Sequence, residues 1–120
     1  MATATDLTGL GVPAALSAYL GITPTALTGT GTAAGTAVTI QPEATFVNLT
    51  TAGSQTGAIF SSSMPIGVPY FVLVNSATTG VVYPPSGATF LNGSSVNVAQ
   101  YKMAMFIRYS TTVIGYLILA

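Results

Sequence analysis

The amino-acid sequence predicts an all-β fold, a small antiparallel β-sandwich or barrel with a short helix on an N-terminal arm. Three observations lead there. Apolar and polar residues alternate over several short stretches, as in half-buried strands. Turn signals rich in Gly, Pro, Asn and Ser fall between them at roughly 8–12 residue intervals, the spacing of sandwiches and barrels. Only one stretch has a convincing helical character. The chain divides accordingly into an arm, residues 1–21, and a single β domain, residues 22–120.

The helical stretch is Pro13 to Leu20, PAALSAYL. Pro at the first helical position loses no hydrogen bond and presets φ, and Gly21 can adopt the left-handed stop conformation. Ala14, Ala15, Ala18 and Leu20 favour helix. So short a helix is not stable alone in water, so it must dock on its own body or on a partner. Together with the Gly-rich lead-in, its apolar residues are Leu7, Leu10, Val12, Leu16, Tyr19 and Leu20. These are the candidates for attachment to a partner.

Beyond Gly21 the period switches to two. Residues 25–39, TALTGTGTAAGTAVT, are biased towards Thr, Gly and Ala. They contain no fixed-period repeat, which argues against a solenoid and for a long, mobile strand–loop–strand connection. Thr36 to Gln41 then sets Val38 and Ile40 on one face, and Thr45 to Thr50 sets Val47 and Leu49 on one face. Ser95 to Ala99 alternates Val96 and Val98 against Asn97. Turns are expected at Gln41-Pro42-Glu43, Ala52-Gly53-Ser54, Met64-Pro65-Ile66-Gly67, Tyr83 to Gly87 and Asn92-Gly93-Ser94.

Three strands break the alternation. Tyr70–Val74 and Val113–Leu119 are apolar on both faces. Lys102 to Tyr109 carries Met103, Met105 and Ile107 on one face, with Ala104 and Phe106 between Lys102 and Arg108 on the other. Such strands lie between two layers or are covered by another subunit. Left bare, Val113–Leu119 would be an aggregation segment, β-prone, uncharged and free of Pro. Tyr70, Val72, Phe106, Tyr116 and Ile118 are therefore the candidates for an oligomer interface. A membrane span is not expected at Met103 to Ala120, because Arg108 and the run Ser110-Thr111-Thr112 split it into two strand-length pieces. The start of the chain has no basic region or unbroken apolar run, so no secretory signal is read there.

Composition narrows the function. Of 120 residues, only Asp6, Glu43, Lys102 and Arg108 are charged, and Cys, His and Trp are absent. This excludes a Ser-His-Asp triad, a thiol nucleophile, a zinc site of the usual kind and a disulfide framework. Two cations cannot neutralise a phosphate backbone, so nucleic acid is not a partner. No catalytic residues, metal or cofactor are expected. A chain with half its residues hydrophobic and no net charge lacks the repulsion that keeps proteins apart. An obligate homo-oligomer held by apolar contact accounts for that composition.

Several motifs have plainer readings. Gly29-Thr-Gly31-Thr-Ala-Ala34 matches a dinucleotide fingerprint in form, but a β-branched segment follows where a helix is required, so it reads as a turn. A two-carboxylate hydrolase would need both Asp6 and Glu43, which suit solvated structural roles better. Lys102 and Arg108 share a strand face, where they either end the strand in solvent or pair with a partner's acids. Asn48-Leu-Thr50 and Asn92-Gly-Ser94 fit the glycosylation pattern, and Asn-Gly is equally a tight-turn signal. Ser61-Ser62-Ser63, with no base, reads as a loop. The aromatics Tyr70, Phe71, Tyr83, Tyr101, Phe106, Tyr109 and Tyr116 are expected in core and interface packing, with stacking on a glycan as the alternative.

The N-terminal run MATATDLTGLGVPAALSAYLG resembles the opening of a family of small tailed-bacteriophage virion proteins. The stretch VVYPPSGATFLNG, the strand with Lys-Met-Ala-Met-Phe and the closing strand are similar to the same family. The resemblance implies a capsid decoration (cement) protein: a small β-rich homotrimer on the outer capsid surface of the virion, bound to the major capsid protein and reinforcing the shell. It implies no catalytic or metal residues. The alternative is a phage fibre or receptor-binding tip domain, whose aromatics and Thr-rich loops would meet a host glycan.

Overall fold

The computed structural model describes residues 24–119. The expected arm and helix, with Leu7, Leu10, Val12, Leu16, Tyr19 and Leu20, lie outside the described residues, as does Asp6. The described chain forms strands β1 (Thr25–Thr28), β2 (Val38–Ile40), β3 (Phe46–Thr50), β4 (Gly57–Phe60) and β5 (Pro69–Val74). They are followed by β6 (Gly80–Tyr83), β7 (Thr89–Phe90), β8 (Val96–Val98), β9 (Met103–Arg108) and β10 (Val113–Leu119). A three-residue 3-10 turn at Ala34–Thr36 is the only helical piece among the described residues.

The strands make two sheets. The larger has the order β1-β3-β5-β9-β10-β7 and the smaller β2-β4-β6-β8. Along the chain β1 to β6 alternate between the two, and within each sheet they run parallel. Residues 25–83 therefore wind as a flattened coil. The rest closes it by antiparallel pairing, β8 on β6, β9 on β5 and β10 on β9, while the short β7 joins β10 in parallel.

The all-β, two-layer expectation holds, and three finer points are corrected. Antiparallel strand pairing is made only by β8, β9 and β10 with their partners, no barrel closes, and the first half is solenoid-like although its sequence has no repeat. The cause is physical. Period-two alternation is the same in parallel and antiparallel strands. A coil needs each turn only to stack its inward residues on the next, as Val47 on Val72 and Ile40 on Phe60 do. The stretch of residues 25–39 is the strand–loop–strand connection its sequence indicates, with β1 and the start of β2 on either side of a loop that holds the 3-10 turn.

Its Gly-Thr corner is tied down by hydrogen bonds. Thr30 Oγ1 donates to the Thr36 carbonyl at 2.6 Å, and the Gly31 N–H donates to Gln55 Oε1 at 2.8 Å. Gly31 has φ +64, and a Cβ there would lie 1.9 Å from Thr36 Oγ1, so any side chain there is strained and displaces Thr36. At another corner, buried Thr51 joins neighbouring turns: its backbone N–H donates to Ser76 Oγ at 2.9 Å and its hydroxyl to the Thr78 carbonyl at 2.6 Å.

Between the sheets, inward residues stack in rows. In the smaller sheet Val38, Ala58, Val82 and Val96 are adjacent in register. In the larger, one row is Val47, Val72, Ala104 and Ile118, and the next is Tyr70, Phe106 and Tyr116. Phe60 from the smaller sheet meets Tyr70 and Phe106 edge-on, at ring separations of 5.6 and 5.2 Å. Phe90 continues the aromatic chain to Tyr116, at 5.8 Å. Tilted and edge contacts of this kind stabilise beyond the area they bury.

Candidate assembly surface

The alternation that points Val72 and Phe106 inward sends the other residues of the same strands outward. In the larger sheet these also fall into register. Phe46, Phe71, Met105 and Leu117 form one row across β3, β5, β9 and β10. Asn48, Leu73, Met103 and Leu119 form the second, and Pro69, Ile107 and Gly115 the third. Phe46 and Phe71 lie with ring centroids 6.3 Å apart. None of these residues is charged, and all but Asn48 are apolar or Gly. Asn48 Oδ1 is buried among them and accepts no hydrogen bond. The outer face of the smaller sheet differs, presenting Thr39 and Asn97 beside half-buried Ile59, Val81 and Tyr83.

The larger sheet also has an incomplete margin. β10 pairs with β9 from Ile114 to Leu119, but β7 covers its far side only at Val113 and Ile114. Along Gly115 to Leu119 the edge has no partner strand among the described residues. Both faces are open there, with Leu117 53% and Ile118 41% exposed. The smaller sheet, four strands wide, does not reach over Ile118.

The oligomer candidates divide on this geometry. Tyr70, Val72 and Phe106 are at most 1% exposed and belong to the core of one chain, so they are corrected from interface to interior. They follow the inward period of their strands, and Tyr70 also donates its hydroxyl proton to the Pro42 carbonyl. Tyr116 is half-buried at the core's rim and Ile118 is exposed beside it. The two-faced strands do carry outward apolar residues, but these are their neighbours Phe71, Leu73, Met105 and Leu117.

Arg108 also turns inward. Its Nη1 donates to the carbonyls of Ser62 and Met64, at 3.2 and 3.1 Å, and its Nη2 to the carbonyl of Thr111 at 2.6 Å. It fastens two loops to the end of β9 and offers nothing to a partner's acids. Lys102 and Glu43 are exposed, in the turn before β9 and the turn after β2. The Gly29–Ala34 segment is the turn its sequence indicates, with the 3-10 turn and β2 following. Asn92 is exposed in the turn after β7, whereas Asn48 lies on the outer apolar face. Tyr101 and Tyr109 are exposed singly at strand ends.

Among the described residues no cluster of acids could hold a metal ion, and no helix is long and apolar enough to cross a membrane. A shallow depression of about 390 Å³ is lined by uncharged residues, among them Ile59, Pro84, Pro85 and Ser94. No family model, curated protein or solved structure matches the chain.

Proposed function

We propose that this protein is a structural virion component, a capsid decoration (cement) protein. It acts as a homo-oligomer on the outer capsid surface, bound to the major capsid protein and stabilising the shell. The observation that supports this reading is the outer face of the larger sheet, with three registered rows of residues and no charge. In water such a face favours association, because burying apolar area stabilises by about 25 cal/mol per Å². Contiguous patches of this kind mark interaction surfaces. The resemblance of the N-terminal run to small phage virion proteins supplies the identity of the partner, and the near absence of charge suits a subunit whose surface is covered by neighbours.

Quantitative mass spectrometry of purified virions tests the proposal. The expected result is a copy number comparable to that of the major capsid protein, with the protein released intact before the shell itself dissociates. Absence from purified particles overturns it. A copy number matching the tail assigns the chain to a tail or fibre part, with the glycan-binding role that goes with it.

A further inference from the structure

The geometry points to the free edge of β10 as a twofold seam, on which a second copy of this chain pairs strand to strand. This rests on the reading of the protein as a homo-oligomer and specifies where two subunits meet.

The hydrogen-bonding phase of β10 identifies the available groups. The Tyr109 N–H donates to the Val113 carbonyl at 3.3 Å, so the odd residues of β10 turn their backbone groups towards β9. On the other side the Thr89 N–H donates to the Thr112 carbonyl at 2.9 Å and the Leu91 N–H to the Ile114 carbonyl at 3.2 Å. Even residues therefore face away from β9. Past the end of β7 these are Tyr116 and Ile118, whose N–H and C=O groups have no strand partner among the described residues. An apolar, uncharged edge of this kind is a template for another strand.

Among the described residues, one register lets a second copy use the whole of this template. The free stretch runs from Gly115 to Leu119, bounded by β7 at one end, and its midpoint is Leu117. Antiparallel pairing about Leu117 sets Tyr116 opposite Ile118 of the second copy, and Ile118 opposite its Tyr116. Each of these pairs exchanges both backbone hydrogen bonds, which uses every free group of the two edges. Shifting the centre to Tyr116 would bring Ile114, already paired to β7, into the seam.

The side chains agree with that register. On the inner face an aromatic residue stands beside a β-branched one, a favourable cross-strand pair. On the outer face Gly115 lies opposite the long Leu119, and the two Leu117 side chains, each 53% exposed, meet at the axis. No charge lies anywhere in β10, so two copies meet without repulsion. The seam makes the dimer the building unit, in place of the trimer that the family resemblance implies.

The chain has no cysteine, so Leu117→Cys gives a single reporter. In this register Leu117 is a non-hydrogen-bonded pair, with Cα atoms about 4.5 Å apart, within disulfide reach. Mild oxidation should convert the full-length Leu117→Cys protein almost completely to a disulfide-linked dimer, while Asn97→Cys on the smaller sheet stays largely unlinked. Light scattering should give the unmodified protein twice its 12.1 kDa chain mass, and Leu117→Lys, with circular dichroism unchanged, the chain mass alone. A monomeric unmodified protein overturns the seam. So does an oligomer that Leu117→Lys leaves intact; that outcome spares the homo-oligomer reading and moves the contact to the outer face or to residues 1–23. Equal linking at Leu117→Cys and Asn97→Cys also overturns it, as random collision.

Discussion

The two faces of the larger sheet are built from the same strands and are nearly equally apolar, yet they meet different surroundings. Val72, Ala104 and Phe106 point inward and are covered by the smaller sheet, at 0% exposure. Phe71, Met105 and Leu117 point outward and are half-buried or exposed. In a sheet with one solvated face, the outward positions are ordinarily polar. The outer face of the smaller sheet moves in that direction with Thr39 and Asn97. The lesson is that the two outer faces differ in polarity and not in charge, since neither carries a charged residue. The larger sheet's outer rows hold Asn48 as their one polar residue, and that localisation of apolar residues turns a property of composition into a place on the fold.

The comparison breaks most visibly on β9, where neighbours face opposite ways. Phe106→Ala should cost about 3–5 kcal/mol, the usual loss for an aromatic removed from a packed core. Met105→Ala should cost the dilute free protein about 1 kcal/mol or less, as burial there is partial. Urea titration reads both, and equal losses would mean that the outer face is covered within one chain. The cations allow a second comparison. Arg108→Met removes the donors to three carbonyls, of which the bond to Met64 is the buried one, and should cost about 1–3 kcal/mol, the penalty of a buried acceptor left unpaired. Lys102→Met, exposed, should change the urea midpoint little.

Glycines sharpen the contrast at smaller scale. A Cβ on Gly80 would lie 2.8 Å from Val74 Cγ2 and 3.1 Å from Leu49 Cδ2, so Gly80→Ala should cost about 1–3 kcal/mol by overpacking. On the outer face the nearest atom to a Cβ on Gly115 is Tyr109 Cδ1 at 3.7 Å, an ordinary contact. Gly115→Ala should therefore be neutral or stabilising by up to about 1 kcal/mol, by thermal melting. The smallest effect is expected from salt. An outer face with no charge has nothing to screen, and raising NaCl tenfold should leave subunit and shell affinities nearly unchanged in a binding titration.

Much of the β structure is legible in the sequence. Val113–Leu119 is assigned end to end, and the strands at Val38, Phe46, Tyr70, Val96 and Met103 fall within a residue or two of their observed limits. β4 and β6 are not legible, because Gly57-Ala58-Ile59-Phe60 and Gly80-Val81-Val82-Tyr83 begin with Gly and then run apolar without the polar alternate that marks Val38–Ile40 and Val96–Val98. Strand direction is not legible either, as side-chain period carries no information about it. The alternation already places Arg108 on the face of Ala104 and Phe106; its burial follows from that, but its carbonyl partners come from loops remote in sequence. The interface candidates show a similar division. That β5 and β10 are apolar on both faces is plain from their residues. Which face is interior depends on the smaller sheet, and the free edge at Tyr116 and Ile118 depends on how short β7 is.

The coil also bears on how fast the chain can fold. Thr25 pairs with Val47, and Val47 with Val72, so each strand contact in the parallel half closes a loop of about 20–25 residues before it is rewarded. The β9–β10 hairpin, joined by residues 109–112, is local and can close in about 1–10 μs. β5 pairs with that hairpin through β9, so folding is expected to run from the C-terminal half back towards β1, opposite to the direction of synthesis. With non-local pairings dominant, refolding belongs in the range of milliseconds to seconds, which rapid-mixing measurements would read. During that interval β3 and β5 wait as uncharged apolar segments, and the nascent chain depends on the speed of its last strands for protection from its neighbours.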